Sequence, residues 1–238
     1  MSLKSVYLPN PNIEADVVRI AGDEHRHLVV GRMEPGEQIE IFDGNGHVWT
    51  ARIEEAGRKM ATARIEASRI AERPVAELIL GQSLIRNAAF ELAVEKAVEL
   101  GVTRIIPIIA ARSNVRAGER HDRLERIVIE AAKQSKRYYL PQVMPPMDFE
   151  AVLSVKATSR IVFAERRGGT LKSALTGFPA LYLIGPEGGW TDHELESARS
   201  AGFHLVSFGS GILKSETAAI AASAVIQFCC TDETNPIH

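Results

Sequence analysis

The sequence predicts an α/β protein with two domains, a small β-barrel followed by a larger domain built on a mostly parallel sheet. Up to about residue 70, short apolar or alternating runs are separated by turn-forming residues, as half-buried strands are. Beyond Pro74, short apolar runs alternate with helical patterns, which is typical of a parallel sheet covered on both faces. Because proline cannot donate to a central sheet ladder, residues 71–74 are predicted to link domains at 1–72 and 75–238.

The first domain is predicted to contain five strands and one helix. Residues 43–46 (Asp-Gly-Asn-Gly) tolerate positive φ, so this segment should turn a hairpin. A helix is expected from Glu24 to about Arg32, with Asp23 as its N-cap. The strands are expected at residues 6–8, 17–20, 38–42, 47–53 and 60–70.

Helical patterns separate the predicted strands of the second domain. An apolar stripe with i, i+3, i+4, i+7 spacing covers residues 90–100, and Gly101 is placed as its C-terminal stop. Thr191 and Glu194 form a capping box for a helix that runs to about residue 201. Ser215 is expected to cap a last, alanine-rich helix. The strands are expected at residues 75–80, 104–109, 160–164, 180–184 and 205–208.

Composition excludes several classes of protein. Of the 238 residues, 45% are hydrophobic and 24% are charged, so the chain can fill a core and is not disordered by composition. The only two cysteines, Cys229 and Cys230, are adjacent and cannot staple distant segments, which excludes a secreted disulfide scaffold. No apolar run approaches the roughly 20 residues that span a bilayer. We therefore expect a soluble cytoplasmic protein.

Two glycine-rich segments follow neighbouring predicted strands, at residues 183–190 (LIGPEGGW) and 208–217 (FGSGILKSET). Ligands of open α/β sheets bind beyond the carboxyl ends of strands, so these loops are candidate ligand contacts. A phosphate-binding loop would require glycine in place of Phe208 and Leu213, and a dinucleotide fingerprint would require a small residue in place of Lys214. The alternative is two tight turns without a ligand. With no HExxH motif, Cys/His cluster or GxSxG motif, neither a metal site nor a serine hydrolase is predicted.

Basic residues are concentrated between Arg112 and Arg137, where eight cations outnumber four acids in a chain of net charge −2. Such a patch, followed by Tyr138 and Tyr139 as stacking groups, would suit a phosphate backbone. An ordinary solvated helix face explains the same charges equally well. The cations are Arg112, Arg116, Arg120, Arg123, Arg126, Lys133, Lys136 and Arg137.

Five segments together resemble the bacterial 16S ribosomal RNA uracil-N3 methyltransferases of the SPOUT superfamily. Residues 25–28 (HRHL) are similar to the family's N-terminal motif, 95–102 (EKAVELGV) to its KATELGV helix, and 130–137 (EAAKQSKR) to EAAEQSGR. Residues 183–190 are very close to LIGPEGGF, and 211–218 (GILKSETA) are close to RILRTETA. The last two segments are the most specific, and the match runs over nearly the whole chain.

The resemblance implies a PUA-like β-barrel that docks RNA and a C-terminal SPOUT domain with a deep trefoil knot. It further implies a homodimer that binds S-adenosylmethionine on the two glycine loops, without a metal and without a membrane partner. The substrate would be N3 of a uridine in 16S rRNA within the small ribosomal subunit. Glu187 would also suit a bracing role in its loop. Carried over by position, the cofactor-binding residues are Leu183, Gly185, Glu187, Gly188, Gly189, Phe208, Gly209, Ile212 and Leu213.

The resemblance also suggests catalytic and RNA-binding residues. Arg137 and Lys214 would stabilise the uracil anion, and Glu216 would accept its proton unless it only complements the helix dipole. RNA contacts are expected at Arg32, Arg86, Lys133 and Arg137. The chain departs from the family pattern at Ala88, Ala89, Lys133, Gly211 and Lys214. Two other functions stay open: a SPOUT methyltransferase acting on another RNA or on a ribose 2′-hydroxyl, and an RNA-binding module with a vestigial cofactor pocket.

Overall fold

The computed structural model describes residues 3–113, 121–165 and 168–234. The chain divides into two compact units. The first unit comprises residues 1–73 and 132–140, and the second unit comprises residues 74–131 and 141–238. Arg116 and Arg120 of the predicted basic patch lie outside the described residues.

The first unit is a six-stranded sheet of order β1-β4-β5-β6-β3-β2 with one helix, α1. β1 pairs with β4 in parallel, and the other neighbouring pairs are antiparallel. The predicted strands at 38–42 and 60–70 are confirmed. Apolar residues alternate with less buried ones at the start of both strands, whereas the second half of β6 is exposed. The elements are β1 Lys4–Tyr7, β2 Ile13–Glu14, β3 Val17–Ala21, α1 Gly22–Val30, β4 Gln38–Phe42, β5 His47–Ala56 and β6 Met60–Ile70.

The start of α1 differs from the prediction. Its N-cap residue is Ala21, and no side chain caps the helix there. Asp23, predicted as the N-cap, lies in the first turn and pairs with Arg26 at 2.9 Å. A carboxylate in the first turn still stabilises the helix through its dipole, which explains why the acidic residue looked like a start signal.

The segment 132–140 belongs to the first unit because of hydrogen bonds around Glu40. The Lys136 ammonium donates to the Glu40 carboxylate at 3.0 Å, and the Tyr138 hydroxyl donates to the same oxygen at 2.9 Å. The Glu40 side chain is only 12% exposed, so its charge depends on these donors. Sequence periodicity carries no information about such a long-range pairing.

Tyr138 and Tyr139, predicted as stacking groups for RNA, face arginines of their own unit. The guanidinium of Arg69 lies 4.7 Å from the centre of the Tyr138 ring, and that of Arg73 lies 5.9 Å from the centre of the Tyr139 ring. The Tyr139 ring also fills the space beside Gly46, whose φ is +95°. Only glycine combines that backbone conformation with so close an approach.

The second unit is a seven-stranded parallel sheet covered by helices. The main path of the sheet is β10-β8-β7-β12-β11-β13, and β9 pairs with β8. The predicted parallel α/β domain is therefore confirmed. The elements are β7 Leu78–Ser83, α2 Asn87–Glu99, β8 Arg104–Ile109, α3 His121–Ser135, β9 Gln142–Val143, β10 Met147–Asp148, α4 Phe149–Val152, β11 Ser159–Phe163, α5 Leu171–Ala174, β12 Ala180–Ile184, α6 Asp192–Ser200, β13 His204–Val206 and α7 Ser215–Thr234; the end of α3 belongs to the first unit.

Most local signals of the second unit are confirmed. Gly101 has a φ of +86° just after α2, and Thr191 and Glu194 form the expected capping box of α6. The strand β7 differs, since it begins at Leu78 and ends at Ser83, beyond the predicted 75–80. It continues through polar residues that are fully buried, which an apolar pattern does not predict. Among the described residues, no helix is long and apolar enough to cross a membrane.

Candidate active site

A cavity of about 950 Å³ opens in the second unit beyond the carboxyl ends of β11 and β12. The strand β7 comes first in the chain, and its neighbours β8 and β12 lie on opposite sides of it. The strand order therefore reverses between β7 and β12, and ligands of open α/β sheets bind at such a reversal. Arg86, which follows β7, and residues 184–190, at the end of β12, both line the cavity. The cavity is lined by residues 163–165, 184–190 and 212–216, together with Arg86 and Arg112.

The loop 185–190 turns tightly against the sheet. The N–H of Gly189 donates to the carbonyl of Pro186 at 2.9 Å, and Gly189 has a φ of +66°. The buried indole of Trp190 donates to the carbonyl of Phe163 at 3.0 Å. A Cβ added to Gly185 would lie 3.1 Å from the Trp190 ring, so the glycine permits this packing. Trp190 thus anchors the loop on β11.

Two charged side chains join this loop and the residue after it to the segment that follows β8. The Arg112 guanidinium donates to the carbonyl oxygens of Gly188 at 2.8 Å and Trp190 at 3.4 Å. The buried carboxylate of Glu194 accepts from the N–H of Ala111 at 2.9 Å and from Thr191. These bonds give hydrogen-bond partners to backbone groups at both ends of the contact, and they fix the shape of the loop.

Glu187 braces the loop from a third direction. One of its carboxylate oxygens accepts from the N–H of Arg86 at 3.3 Å. Arg86 itself lines the cavity, as do Ala88 and Ala89 at the start of α2. This contact matches the bracing role that the sequence left open for Glu187.

The second glycine-rich segment follows β13, which β11 separates from β12, so the prediction that the two segments follow neighbouring strands is wrong. The segment contributes to the cavity through its C-terminal part. Ile212, Leu213, Lys214 and Glu216 line the cavity. Phe208 does not line it but stacks on Phe163, with ring centres 4.6 Å apart. The other glycine-rich residues close to it, Gly209 and Ser210, line a shallower depression instead.

The structure brings together six of the nine predicted cofactor-binding residues. The three others are Phe208, Gly209 and Leu183, and the last is fully buried in β12 as part of the core. The predicted catalytic residues Lys214 and Glu216 lie at the same cavity. The six cofactor residues in its lining are Gly185, Glu187, Gly188, Gly189, Ile212 and Leu213.

The remaining predicted residues lie in the first unit. Arg32 is exposed and has a φ of +50°. The Lys133 ammonium donates to both carboxylate oxygens of Glu24, at 3.1 and 3.2 Å, so its charge is locally balanced. Partial burial lowers the pKa of the Arg137 guanidinium below its ordinary value. Arg137 nevertheless stays cationic at neutral pH, since arginine is not deprotonated in proteins.

Sequence reasoning missed several parts of the cavity lining. Phe163 ends β11, residues 164–165 follow it, Arg112 follows β8, and Asp192 and Leu195 lie on α6. The strands that lead to these residues, β11 and β8, were both predicted, but the order of strands in the sheet cannot be read from a single sequence. The neighbour relation of β11 and β12 is what puts Glu165 beside the glycine loop.

The chemistry of the lining suits a ligand with both apolar and charged parts. Ile184, Ile212 and Leu213 supply apolar surface, and the loop 185–189 presents backbone polar groups. Acidic and basic side chains share the rim: Glu165, Glu187, Asp192 and Glu216 with Arg86, Arg112 and Lys214. Such a cavity suits an organic ligand that combines an apolar part with charged groups of both signs.

Comparison with known proteins identifies the family. A model of an RNA methyltransferase domain matches residues 71–227, and a model of an RNA methyltransferase PUA domain matches residues 20–66. The chain belongs to the RNA methyltransferase family. The predicted family and the combination of a PUA-like domain with an α/β methyltransferase domain are thereby confirmed.

Individual members of this RNA methyltransferase family match over nearly the full chain. "Ribosomal RNA small subunit methyltransferase E" of Synechocystis is 32% identical over 95% of this chain and 77% of its own length. The protein of the same name from Rickettsia conorii is 29% identical, over 95% and 96%. The crystal structure of the Neisseria gonorrhoeae protein of that name, bound to S-adenosylmethionine, is 34% identical with a TM-score of 0.89, covering 96% of this chain and 98% of that chain.

Proposed function

We propose that this protein transfers a methyl group from S-adenosylmethionine to N3 of a uridine in 16S rRNA of the small ribosomal subunit. One observation carries the proposal: two loops of the methyltransferase domain line a single cavity at the reversal of strand order. The 34% identical Neisseria protein was solved with S-adenosylmethionine bound. The choice of N3 rests on the resemblance of residues 183–190 and 211–218 to the uracil-N3 enzymes.

The lining residues fit this cofactor. Ile184, Ile212 and Leu213 would pack on the adenine, while the backbone of 185–189 would hydrogen-bond to its polar groups. Glu165 offers negative charge for the ammonium or the sulfonium group. When bound, the cofactor supplies a methyl group activated by its sulfonium.

The chain's own residues must make the uracil nitrogen reactive. N3 carries a proton, and the base becomes a nucleophile only when that proton leaves. Lys214, at the rim of the cavity, would stabilise the negative charge that develops on the uracil. Glu216 would accept the proton, or would simply complement the dipole at the start of α7. We assign Arg137 an electrostatic role as well, on the strength of the resemblance alone.

RNA would be held by cations of both units. Arg86, at the cavity, would bind a phosphate next to the target nucleotide. In the domain at 1–72, the exposed Arg32 would bind the backbone of the substrate. Lys133 would have to exchange its Glu24 partner for a phosphate, so its contribution should depend strongly on salt.

We also propose the homodimer and the trefoil knot that the resemblance implies, with the domain at 75–238 carrying the knot and catalysis. The helix α7 supports the dimer, because Val225 and Phe228 are 45% and 62% exposed on it. Apolar side chains exposed together on one helix suit an interface between copies of the chain. Activity on ribosomal subunits would place the protein in the cytoplasm.

The test is methyl transfer from labelled S-adenosylmethionine to small ribosomal subunits from cells that lack the endogenous activity, followed by nucleoside analysis. Label in 3-methyluridine is the expected result. Label in another nucleoside, or on a ribose 2′-hydroxyl, would overturn the N3 assignment and retain the methyltransferase. Absence of cofactor binding would support an RNA-binding module with a vestigial pocket.

A further inference from the structure

A buried glutamine lies beneath the cavity and is joined to it by hydrogen bonds. Gln82, at the end of β7, is fully buried and lies opposite Ile184 of β12 in the sheet register. Its amide nitrogen lies 2.9 Å from the hydroxyl oxygen of Ser215, the first residue of α7. That hydroxyl lies 2.6 Å from the carbonyl oxygen of Gly185. Ser215 and Gly185 both line the cavity.

We call the hydrogen-bonded series Gln82–Ser215–Gly185 the relay. The chemistry of these groups determines which of them donates in each bond. The amide nitrogen of Gln82 also lies 3.0 Å from the carbonyl oxygen of Ser83, which can only accept a hydrogen bond. The atom facing it must therefore be the NH₂ group. Its second N–H donates to Ser215, and the single proton of the Ser215 hydroxyl is left for the carbonyl of Gly185, which also only accepts.

If Gln82 served only to stabilise the fold, a glutamine would be a poor choice at this position. Its amide oxygen is buried without a hydrogen-bond partner among the described residues. A buried polar atom without a partner costs free energy, and an apolar side chain of similar size would avoid that cost. The useful part of the side chain is its NH₂ group, which orients the hydroxyl of Ser215.

We infer that Gln82 is a positioning residue for the cofactor: through Ser215 it locks the first residue of the glycine loop 185–190 to the start of α7. The inference rests on the proposed function, because it concerns the same cavity. The backbone groups that would hold the cofactor lie on both elements. A fixed distance between Gly185 and Ser215 keeps both sets of groups in register before the cofactor arrives, which reduces the ordering cost of binding.

The test uses calorimetric S-adenosylmethionine binding and steady-state methyl transfer with the full chain. Gln82→Met keeps the length of the side chain but has no donor, and Ser215→Ala removes the hydroxyl. Each is expected to weaken cofactor binding about tenfold and to raise KM for the cofactor more than it lowers kcat. Ser215→Thr, which keeps the hydroxyl, is expected to bind within threefold of wild type. The double variant should bind S-adenosylmethionine as weakly as either single variant, because each single substitution already breaks the same relay.

Tyr182→Phe provides the matched control. The Tyr182 hydroxyl pairs with that of Ser223 at 2.7 Å, a buried bond between α7 and β12, the strand that leads into the loop 185–190, but neither residue lines the cavity. This variant should lose thermal stability and bind the cofactor within twofold of wild type.

The outcomes distinguish failure of the proposed methyltransferase function from failure of the relay. Failure of the wild-type protein to bind S-adenosylmethionine would overturn the proposed function, and the relay with it. Wild-type binding together with unchanged affinity in both Gln82→Met and Ser215→Ala would overturn the relay alone. Equal losses of affinity in Tyr182→Phe would also overturn it, because general docking of α7 would then explain the effect. Should Gln82→Met fail to fold, the comparison of Ser215→Ala with Ser215→Thr still decides.

Discussion

Replacing Glu194 by glutamine is expected to lower the free energy of unfolding of the second unit by about 2–3 kcal/mol, the value of one hydrogen bond to a buried charged group. One Glu194 oxygen accepts from the N–H of Ala111 at 2.9 Å. The other accepts from the N–H of Thr191 at 2.7 Å and from its hydroxyl at 2.8 Å. Glutamine has a single acceptor oxygen, so in either orientation its NH₂ group faces one of these N–H donors.

The assay is thermal unfolding at neutral pH followed by circular dichroism. For a unit of this size, about 2–3 kcal/mol corresponds to a drop in Tm of roughly 4–12 °C. Glu196→Gln is the matched control, because Glu196 lies on the same helix but is 70% exposed and pairs with Arg199 at 3.5 Å. It should change stability by less than about 0.5 kcal/mol. Equal Tm values for the two variants would refute the reasoning.

Three further predictions concern both units. Arg137→Ala should abolish methyl transfer and leave S-adenosylmethionine affinity within about threefold of wild type, measured by calorimetry. Lys214→Gln should lower kcat by roughly 100-fold, the typical value of one electrostatic donor, whereas Lys214→Arg should retain most activity in the same assay. Gly46→Ala should lose about 2 kcal/mol more stability than Gly36→Ala in urea unfolding: both glycines have φ near +95°, but only at Gly46 would a Cβ overlap the Tyr139 ring.

Each of these predictions has an outcome that contradicts it. Full activity of Arg137→Ala would remove that side chain from the mechanism. An equally severe loss in Lys214→Arg would show that shape, and not charge, matters at the rim of the cavity. Equal stability of the two alanine variants would mean that the Tyr139 ring moves away at no cost.

Local patterns in the sequence predicted most of the longer elements of this fold, but not the short strands β2, β9 and β10 or the short helices α4 and α5. The strands at 38–42, 104–109 and 180–184 have the predicted bounds, because runs of buried apolar residues define them. The strand β7 was misplaced, since it ends in two polar residues, Gln82 and Ser83, whose burial depends on tertiary partners. A hydrophobicity pattern does not show that a strand continues through polar residues, because the burial of those residues depends on hydrogen-bond partners elsewhere in the chain.

Only the parts of the site that depend on local sequence were predicted. Glycines at 185, 188 and 189 indicated the first loop directly, because they permit close approach to the backbone. The contribution of Glu165 and Arg112 depends on which strands are neighbours, and sequence order does not determine that. The relay from Gln82 joins residues 133 positions apart in the chain, so it too is visible only in three dimensions.

The return of the segment 132–140 to the first unit makes that unit discontinuous along the chain. A fragment ending at Arg73 would lack Lys136 and Tyr138, which donate to the Glu40 carboxylate, and the Tyr139 ring that packs beside Gly46. The first unit therefore cannot be separated from the rest of the chain by a single cut. Gene fusions and truncations of this protein have to carry the 132–140 peptide along, spliced behind residue 73.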